Sequence, residues 1–230
     1  MIIIEKPCGY TINEFIEKYK KDNNKNKLCF CGRLDPMARG EILVLVNEEC
    51  KLMPKYLSTE KVYKFEIVFG IQTDSDDPLG IINKINFNKI SDFELNNLKD
   101  LIFYHPKVFN QKFHNYSSKR INGKPLWYYK KNNLNIELPT HPVEIYDIKI
   151  FKPIEYNFLN WKNNIITQID SIDKTKDFNQ DEIIQQWQYL EFEDVISLPI
   201  EMKVSSGFYI RQFVRDLSDK INYPLLTYDI

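Results

Sequence analysis

One carboxylate in this chain, Asp35, stands in a setting that could hold it for chemistry. It lies in CGRLDPMARGEILV, residues 31–44, between Gly32 and Gly40 and directly ahead of Pro36, and the stretch runs into the apolar ILVLV of residues 42–46. The glycines admit backbone conformations closed to other residues, while Pro36 fixes its own φ and pushes Asp35 towards an extended conformation. A carboxylate so placed can attack an electrophilic carbon, or stabilise positive charge on it, and still leave. In a pocket that excludes water it needs a fixed cation beside it, because an unpaired buried charge is costly. Taken by itself the same pattern is that of a surface turn feeding a strand, since Asp-Pro commonly begins turns.

A second acidic stretch, TDSDDPLG at residues 73–80, also reads as a turn, in which Asp77 fits a turn cap as readily as a functional carboxylate. Cys8, Cys29, Cys31 and Cys50 lack the spacing of a zinc site, and the three histidines form no H-x-x-H pair, so reduced structural thiols and no metal are expected. A formal net charge of -1 excludes a protein that holds nucleic acid by bulk charge. Basic residues do gather locally. Lys119, Arg120, Lys124, Lys130 and Lys131 surround Trp127, Tyr128 and Tyr129, and Lys51, Lys55, Lys61 and Lys64 form a second group. Cations beside aromatics can follow phosphates and stack on unpaired bases, although a solvated face over core aromatics has the same composition.

The elements that must position these groups follow from the apolar spacing. At 230 residues, with 43% hydrophobic and 14% aromatic side chains, the chain can bury a sizeable core. No apolar run approaches the ~20 residues that span a bilayer, and MIIIEKPCGY carries a charge too early for a signal peptide, so an intracellular, cytoplasmic protein is expected. Residues 1–5 read as a strand, and Thr11 with Glu14 as a capping box opening a helix to about Lys21. The polar DNNKNK of residues 22–27 is a connection. Residues 41–46 form a buried strand, 51–57 a short helix, and 61–70 a strand with Tyr63, Phe65, Ile67 and Phe69 on one face against Lys64 and Glu66. Ser91 with Glu94 opens a helix through Leu95, Leu98 and Ile102. Residues 104–119 show no period and read as an ordered loop. Strands are expected at 143–151, with Pro139 and Pro142 at the start, and at 163–172. A helix at 179–190 precedes a strand through Ile200, Met202 and Val204, and Ile210, Phe213, Val214, Leu217 and Ile221 mark a last helix. Strands that do not alternate strictly with helices argue for an α+β fold with a mixed, mostly antiparallel sheet.

Five stretches in order resemble the motifs of the TruB family of pseudouridine synthases. GRLDPMARG is similar to the active-site G-x-L-D-P-x-A-x-G, and EKPCGYT (residues 5–11) to K-P-x-G-x-T. KVYKFEIVFGIQTDSDDPLG (61–80) resembles K-x-Y-x-F followed by G-x-x-T-D-T-x-D-x-x-G. NYSSKRINGKPLWYYKK (115–131) resembles Y-S-A-x-K-x-x-G-x-x-L-Y, and VSSGFYIRQFVRDL (204–217) resembles S-x-G-T-Y-I-R-x-L-x-x-D-L. The resemblance implies the pseudouridine synthase fold, a central sheet crossed by an active-site cleft, with residues 1–230 as a single catalytic domain. Members of the family usually continue into a small C-terminal RNA-binding PUA domain, for which no sequence remains here. It also implies a cofactor-free isomerisation of uridine to pseudouridine, most often the T-loop uridine at tRNA position 55, by a monomer with RNA as its partner and no membrane or small-molecule cofactor.

On the same resemblance Asp35 is the nucleophile, Arg211 the cation at its side, and Tyr63 the aromatic that stacks on the base and moves a proton. Asp77 would orient the site. Gly32, Arg33, Leu34, Phe30, Tyr209, Tyr116, Lys119 and Lys6 are the remaining candidates for meeting the RNA. Extruding a stacked uridine is what the aromatic residues would ease. From the residues alone, a helix cap is the better reading of Arg211 and a core aromatic the better reading of Tyr63. Two positions depart from the family. Phe30 stands where many bacterial members have a His, so stacking survives but a hydrogen bond does not. Arg33 replaces a Thr and adds a charge beside Asp35. Both bear on which uridine is chosen. Two other classes use the same residues: a catalytically idle RNA-binding or tRNA-folding module, and a hydrolase working with Asp35 and Asp77 as a carboxylate pair.

Overall fold

A computed structural model describes residues 1–23, 27–176 and 178–230. Residues 24–26 of the connection expected at 22–27 lie outside the described residues. The chain opens with β1 (Ile2–Lys6) and α1 (Ile12–Asp22), whose Thr11–Glu14 capping box is formed from both sides. β2 (Leu28–Phe30) and β3 (Gly40–Val46) join β1 in a three-stranded antiparallel sheet in the order β1-β3-β2. α1 lays Ile12 and Ile16 on its Ile42 and Val44. Residues 31–39, which hold Asp35, link two neighbouring strands of this small sheet.

A 3-10 turn (Asn47–Leu52) and α2 (Met53–Leu57) stand where one short helix was expected. Then come β4 (Lys61–Phe69), β5 (Ile71–Thr73), β6 (Ile82–Ile85) and α3 (Asp92–Phe103), the last with its Ser91–Glu94 box intact. β7 (Val108–Lys112) interrupts what the sequence presented as loop. Phe109 and Gln111 face inward and Val108 outward, so a buried amide and an exposed valine break the apolar alternation that marks a strand. β8 (Arg120–Ile121), β9 (Lys124–Pro125) and α4 (Leu126–Lys131) lead into β10 (Thr140–Ile150). Pro142 falls within β10, in the half that pairs with β7 alone, where a missing N–H breaks no ladder.

After β11 (Ile154–Asn157), the strand expected at 163–172 is instead the helix α5 (Phe158–Asp170). Asn157 caps it through the Asn160 N–H, and Phe158, Trp161, Ile165 and Ile169 recur at helical spacing on its buried face. A 3-10 turn (Lys174–Lys176), α6 (Gln180–Tyr189), β12 (Asp194–Val204), α7 (Ile210–Ile221) and β13 (Leu225–Tyr228) complete the chain.

The main sheet runs β13-β4-β12-β10-β7, with β11 also on β12, and all the strand pairings among the described residues are antiparallel. β4 shows how its two faces are used. Phe65, Ile67 and Phe69 pack with Leu98 and Ile102 of α3 and with Phe213, Val214 and Leu217 of α7. Val68, on the opposite face, packs with Phe158, Trp161 and Ile165 of α5 and Trp187 of α6. Helices therefore cover both faces, and the far half of β4 loses the polar alternation of its start. Among the described residues no helix is long and apolar enough to cross a membrane.

Candidate active site

Asp35 is presented by a turn whose geometry its sequence dictates. The Ala38 N–H donates to the Asp35 carbonyl at 3.0 Å, closing a four-residue turn with Pro36 at its second position, where a fixed φ is favoured. Gly32 and Gly40 flank it with φ of +129° and +140°, values that side-chain-bearing residues avoid. The loop is pinned from behind. The Gly9 N–H donates to the Pro36 carbonyl at 2.9 Å, the Arg39 N–H to the Ile230 carbonyl at 2.8 Å, and Met37 and Ala38 are buried.

Lys6, expected to meet RNA, does not reach the surface: it is 0% exposed. Its ammonium donates to the carbonyls of Pro7 at 3.0 Å, Ala38 at 2.6 Å and Pro36 at 3.5 Å, so it ties the strand before α1 to the Asp35 turn. Burial lowers its pKa to about 8, against the nearby charges of Cys8, Asp35 and Glu14. An ammonium spends its three donors well on three carbonyls, which leaves none for a phosphate.

Arg211, from the first turn of α7, meets Asp35 with Nη2 at 2.8 Å from Oδ2. Its other terminal nitrogen, Nη1, lies 3.1 Å from Asp77 Oδ2 and donates to the Ser75 carbonyl at 3.0 Å. The guanidinium is thus a fork between two carboxylates, a geometry that a lysine could not reproduce. The partners differ in access. The side chain of Asp77 is 4% exposed and that of Arg211 7%, whereas that of Asp35 is 41% exposed. Burial raises the Asp77 pKa to about 6, with Arg211 opposing the shift. For Arg211 burial works against the charge, but Asp35, Asp77 and Asp76 outweigh it and the pKa rises.

The acidic turn that supplies Asp77 folds tightly on itself. Asp77 Oδ1 accepts from Ser75 Oγ at 2.8 Å and the Leu79 N–H at 2.9 Å, and Thr73 Oγ1 donates to the Asp77 carbonyl at 2.7 Å. A Cβ on Gly80 would stand 2.2 Å from Ser75 Oγ, so only glycine lets the turn close. Its other two aspartates are also engaged. Tyr116 Oη donates to Asp74 Oδ2 at 2.5 Å. Asp76, buried with φ of +61°, takes Arg215 Nε at 2.5 Å and His114 Nε2 at 3.0 Å. His114 is 1% exposed, and burial, with Arg211 and Arg215 nearby, holds its pKa well below the ordinary value. It is therefore neutral, with Nε2–H donating to Asp76 and Nδ1 accepting from the Tyr116 N–H at 3.2 Å.

Tyr63, on β4, is half-buried, and burial followed by the Asp35 charge and Tyr209 pushes its pKa up to about 12, so its hydroxyl keeps its proton. Tyr209 precedes Arg211 by two residues and is held through its backbone, with the N–H donating to Gln111 Oε1 at 2.9 Å and the carbonyl accepting from Gln111 Nε2 at 3.0 Å. Leu34 packs with the small-sheet core and Phe30 is half-buried beside it. Arg33 is exposed. Lys119 is exposed too, its ammonium 4.8 Å above the Phe113 ring rather than against Asp35.

Asp35, Arg211, Asp77 and Tyr63 thus come together from four separate stretches of chain. Sequence reading did not single out Asp74, Asp76, His114 or Arg215. Asp76 and Arg215 occupy positions that the motifs leave free, and His114 lies in the stretch read as loop. The four cysteines are unpaired, and no metal-holding cluster occurs among the described residues. A cavity of about 500 Å³ lined by Phe87, Phe192, Glu155 and Glu193 shares no residue with this constellation.

The arrangement offers one accessible carboxylate oxygen pair, a guanidinium fixed against it and a protonated phenol within range of its charge. Comparison with known proteins bears on what that set is for. Residues 20–165 match the model of the "TruB family pseudouridylate synthase (N terminal domain)". A "tRNA pseudouridine synthase B" of Ureaplasma urealyticum serovar 10 is 32% identical over 226 residues, covering 96% of this chain and 80% of that protein. One of the same name from Ureaplasma parvum serovar 3 is 28% identical over 223 residues, with coverage of 96% and 80%. Among solved structures, "Structure of H/ACA RNP bound to a substrate RNA containing 2'-deoxyuridine" superposes with a TM-score of 0.54 at 14% identity, covering 99% of this chain and 45% of that one. At that identity the likeness is one of fold.

Proposed function

This chain belongs to the TruB family of pseudouridylate synthases, and from that premise we propose that it isomerises uridine to pseudouridine in tRNA with the Asp35 carboxylate as nucleophile. The observation that carries the reading is the Asp35–Arg211 pair: a carboxylate that is 41% exposed, held at 2.8 Å by a guanidinium that is 7% exposed. The reaction breaks the C1′–N1 bond, turns the base and joins C1′ to C5, with one proton leaving C5 and one arriving at N1. It consumes no electron and no external energy. Asp35 attacks, or shields the positive charge that grows on the ribose, and departs when the new bond forms. Arg211 needs no reorganisation to follow that change, because Asp77 and the Ser75 carbonyl fix its plane. Tyr63, kept protonated, is suited to stack on the turned base and to pass a proton.

In the same reading the T-loop uridine at position 55 is the target, and the protein works as a cytoplasmic monomer with residues 1–230 as one catalytic unit. Tyr116, Tyr209, Phe30 and Leu34 would border the extruded nucleotide, and Asp77 would act through Arg211. The test is to incubate the protein with an unmodified tRNA transcript and map pseudouridine along it. Conversion at a defined uridine is the expected result. A protein that binds the transcript and converts nothing would be an idle RNA-binding module, and release of free base would make Asp35 and Asp77 hydrolytic.

A further inference from the structure

Arg33 sits two residues ahead of Asp35, at a position where the family motif has a threonine. The chain has five arginines. Arg39, Arg211 and Arg215 each meet a carboxylate, at 2.6, 2.8 and 2.5 Å respectively. Arg33 has no carboxylate partner among the described residues. Its Nη1 instead donates to Ser118 Oγ at 3.0 Å, and its guanidinium carbon lies 5.6 Å from the centre of the Phe30 ring. Ser118 follows Tyr116 by two residues, and Tyr116 is anchored on the acidic turn through Asp74. The contact therefore joins the loop that presents Asp35 to the segment on the other side of the site. Lys61 borders the same loop, its Cε 4.0 Å from where a Cβ on Gly32 would stand, and its ammonium meets only Thr59 oxygens, at 2.6 and 2.9 Å, among the described residues.

We propose that Arg33 is a phosphate-binding latch: it spans to Ser118 in the free protein and exchanges that hydroxyl for a backbone phosphate beside the extruded uridine when RNA enters. The energetics favour the exchange. A hydrogen bond from a cation to a neutral hydroxyl at an exposed site adds little stability, whereas a guanidinium can grip a phosphate through two parallel charge-assisted bonds of roughly twice the strength. Extruding a nucleotide brings its flanking phosphates to the rim of the site, which is where Arg33 is placed. Phe30 lies beneath the guanidinium, a cation–π contact that limits how far the arginine swings. The inference rests on the reading of this protein as an RNA-modifying enzyme.

The experiment measures equilibrium binding of an unmodified tRNA transcript between 50 and 200 mM salt, with turnover followed in the same samples. Loss of one phosphate contact lowers the slope of log K against log salt by about 0.7 to 0.9. Arg33→Thr is expected to lower it by that amount and to weaken binding roughly tenfold at the low-salt end. Arg33→Lys should keep the slope, because the charge remains, and Ser118→Ala should keep slope and affinity, because the hydroxyl only parks the arginine. An unchanged slope in Arg33→Thr overturns the latch even if the wild-type protein modifies the transcript. If Ser118→Ala weakens binding as much as Arg33→Thr, the contact is a structural bridge and the latch is likewise overturned. Wild-type protein that binds with these salt responses but forms no pseudouridine leaves the latch standing and sinks the catalytic reading.

Discussion

Two arginines one turn apart on α7 are bound to aspartates of a single acidic turn, and they end in opposite states. Arg211 divides its fork between sealed Asp77 and open Asp35. Arg215 gives its Nε to Asp76, which also takes His114, so that every partner of this second carboxylate lies within the fold. The first network leaves a carboxylate facing outwards with its cation fixed behind it. The second leaves no carboxylate outside. A buried ion pair is weak evidence for stability, since desolvation offsets most of the attraction. What distinguishes the networks is whether one member is free to react.

That contrast can be broken by removing each arginine in turn. Arg211→Met strands Asp77 without its cation and strips Asp35 of its own, so folding stability should fall by about 3–5 kcal/mol and turnover should collapse. Denaturant unfolding and single-turnover assays read the two losses separately. Arg211→Lys should recover part of the stability and little of the rate, because a point charge cannot serve two carboxylates as a fork does. Arg215→Met removes a side chain that is 25% exposed, so roughly 2 kcal/mol of stability is expected to go. Its turnover on folded protein should stay within about tenfold of wild type, on the scale of 1.4 kcal/mol per decade. An Arg215→Met enzyme that remains folded but is as inactive as Arg211→Met would show that the two networks are one.

A smaller effect sharpens the same comparison. His114 is held neutral in the fold but titrates near 6.5 when exposed, so below that pH the unfolded chain binds the extra proton. Its contribution to stability is therefore complete above about 6.5 and is lost as pH falls. Asp76 and Asp77, both raised to about 6 by burial, act in the opposite sense, because the folded state protonates them first. Comparing wild type with His114→Gln removes most of that background. The difference in stability should shrink from pH 7 to pH 5 by at most about 1.4 kcal/mol per pH unit. A pH-independent difference would mean that His114 takes up its proton at the same pH in the folded and unfolded chain.

The parts of this molecule legible from sequence were those whose local chemistry is unambiguous. Thr11 with Glu14 and Ser91 with Glu94 announced two helices that the structure caps from both sides. The apolar stripe from Ile210 to Ile221 marked α7, and residues 61–70 marked β4. Asp35, Arg211 and Asp77 were nameable because motifs fixed them, although no local feature said that they would share one guanidinium. Residues 163–172 were misread because Ile165, Ile166 and Ile169 looked β-prone, while the helical spacing begins earlier, at Phe158 and Trp161. β7 is hidden because its most buried residue is Gln111, whose amide serves the Tyr209 backbone, while Val108 faces out. The resemblance that makes Lys6 a candidate for meeting RNA says nothing of its burial, which only the three carbonyls gathered around it explain. His114, Asp76 and Arg215 carried no signal at all, since their pairing exists only once α7, the acidic turn and the segment before Tyr116 meet.

The outward carboxylate of Asp35 is tested most directly by the single-turnover rate of Asp35→Asn on a tRNA transcript, alongside its binding constant. The amide keeps the shape of the side chain and removes the charged oxygens that the proposal makes the nucleophile. A rate lowered by at least about 100-fold, near 3 kcal/mol of transition-state stabilisation, with transcript binding within a few-fold of wild type, is the predicted result. A variant that binds equally and forms pseudouridine within tenfold of the wild-type rate would contradict it.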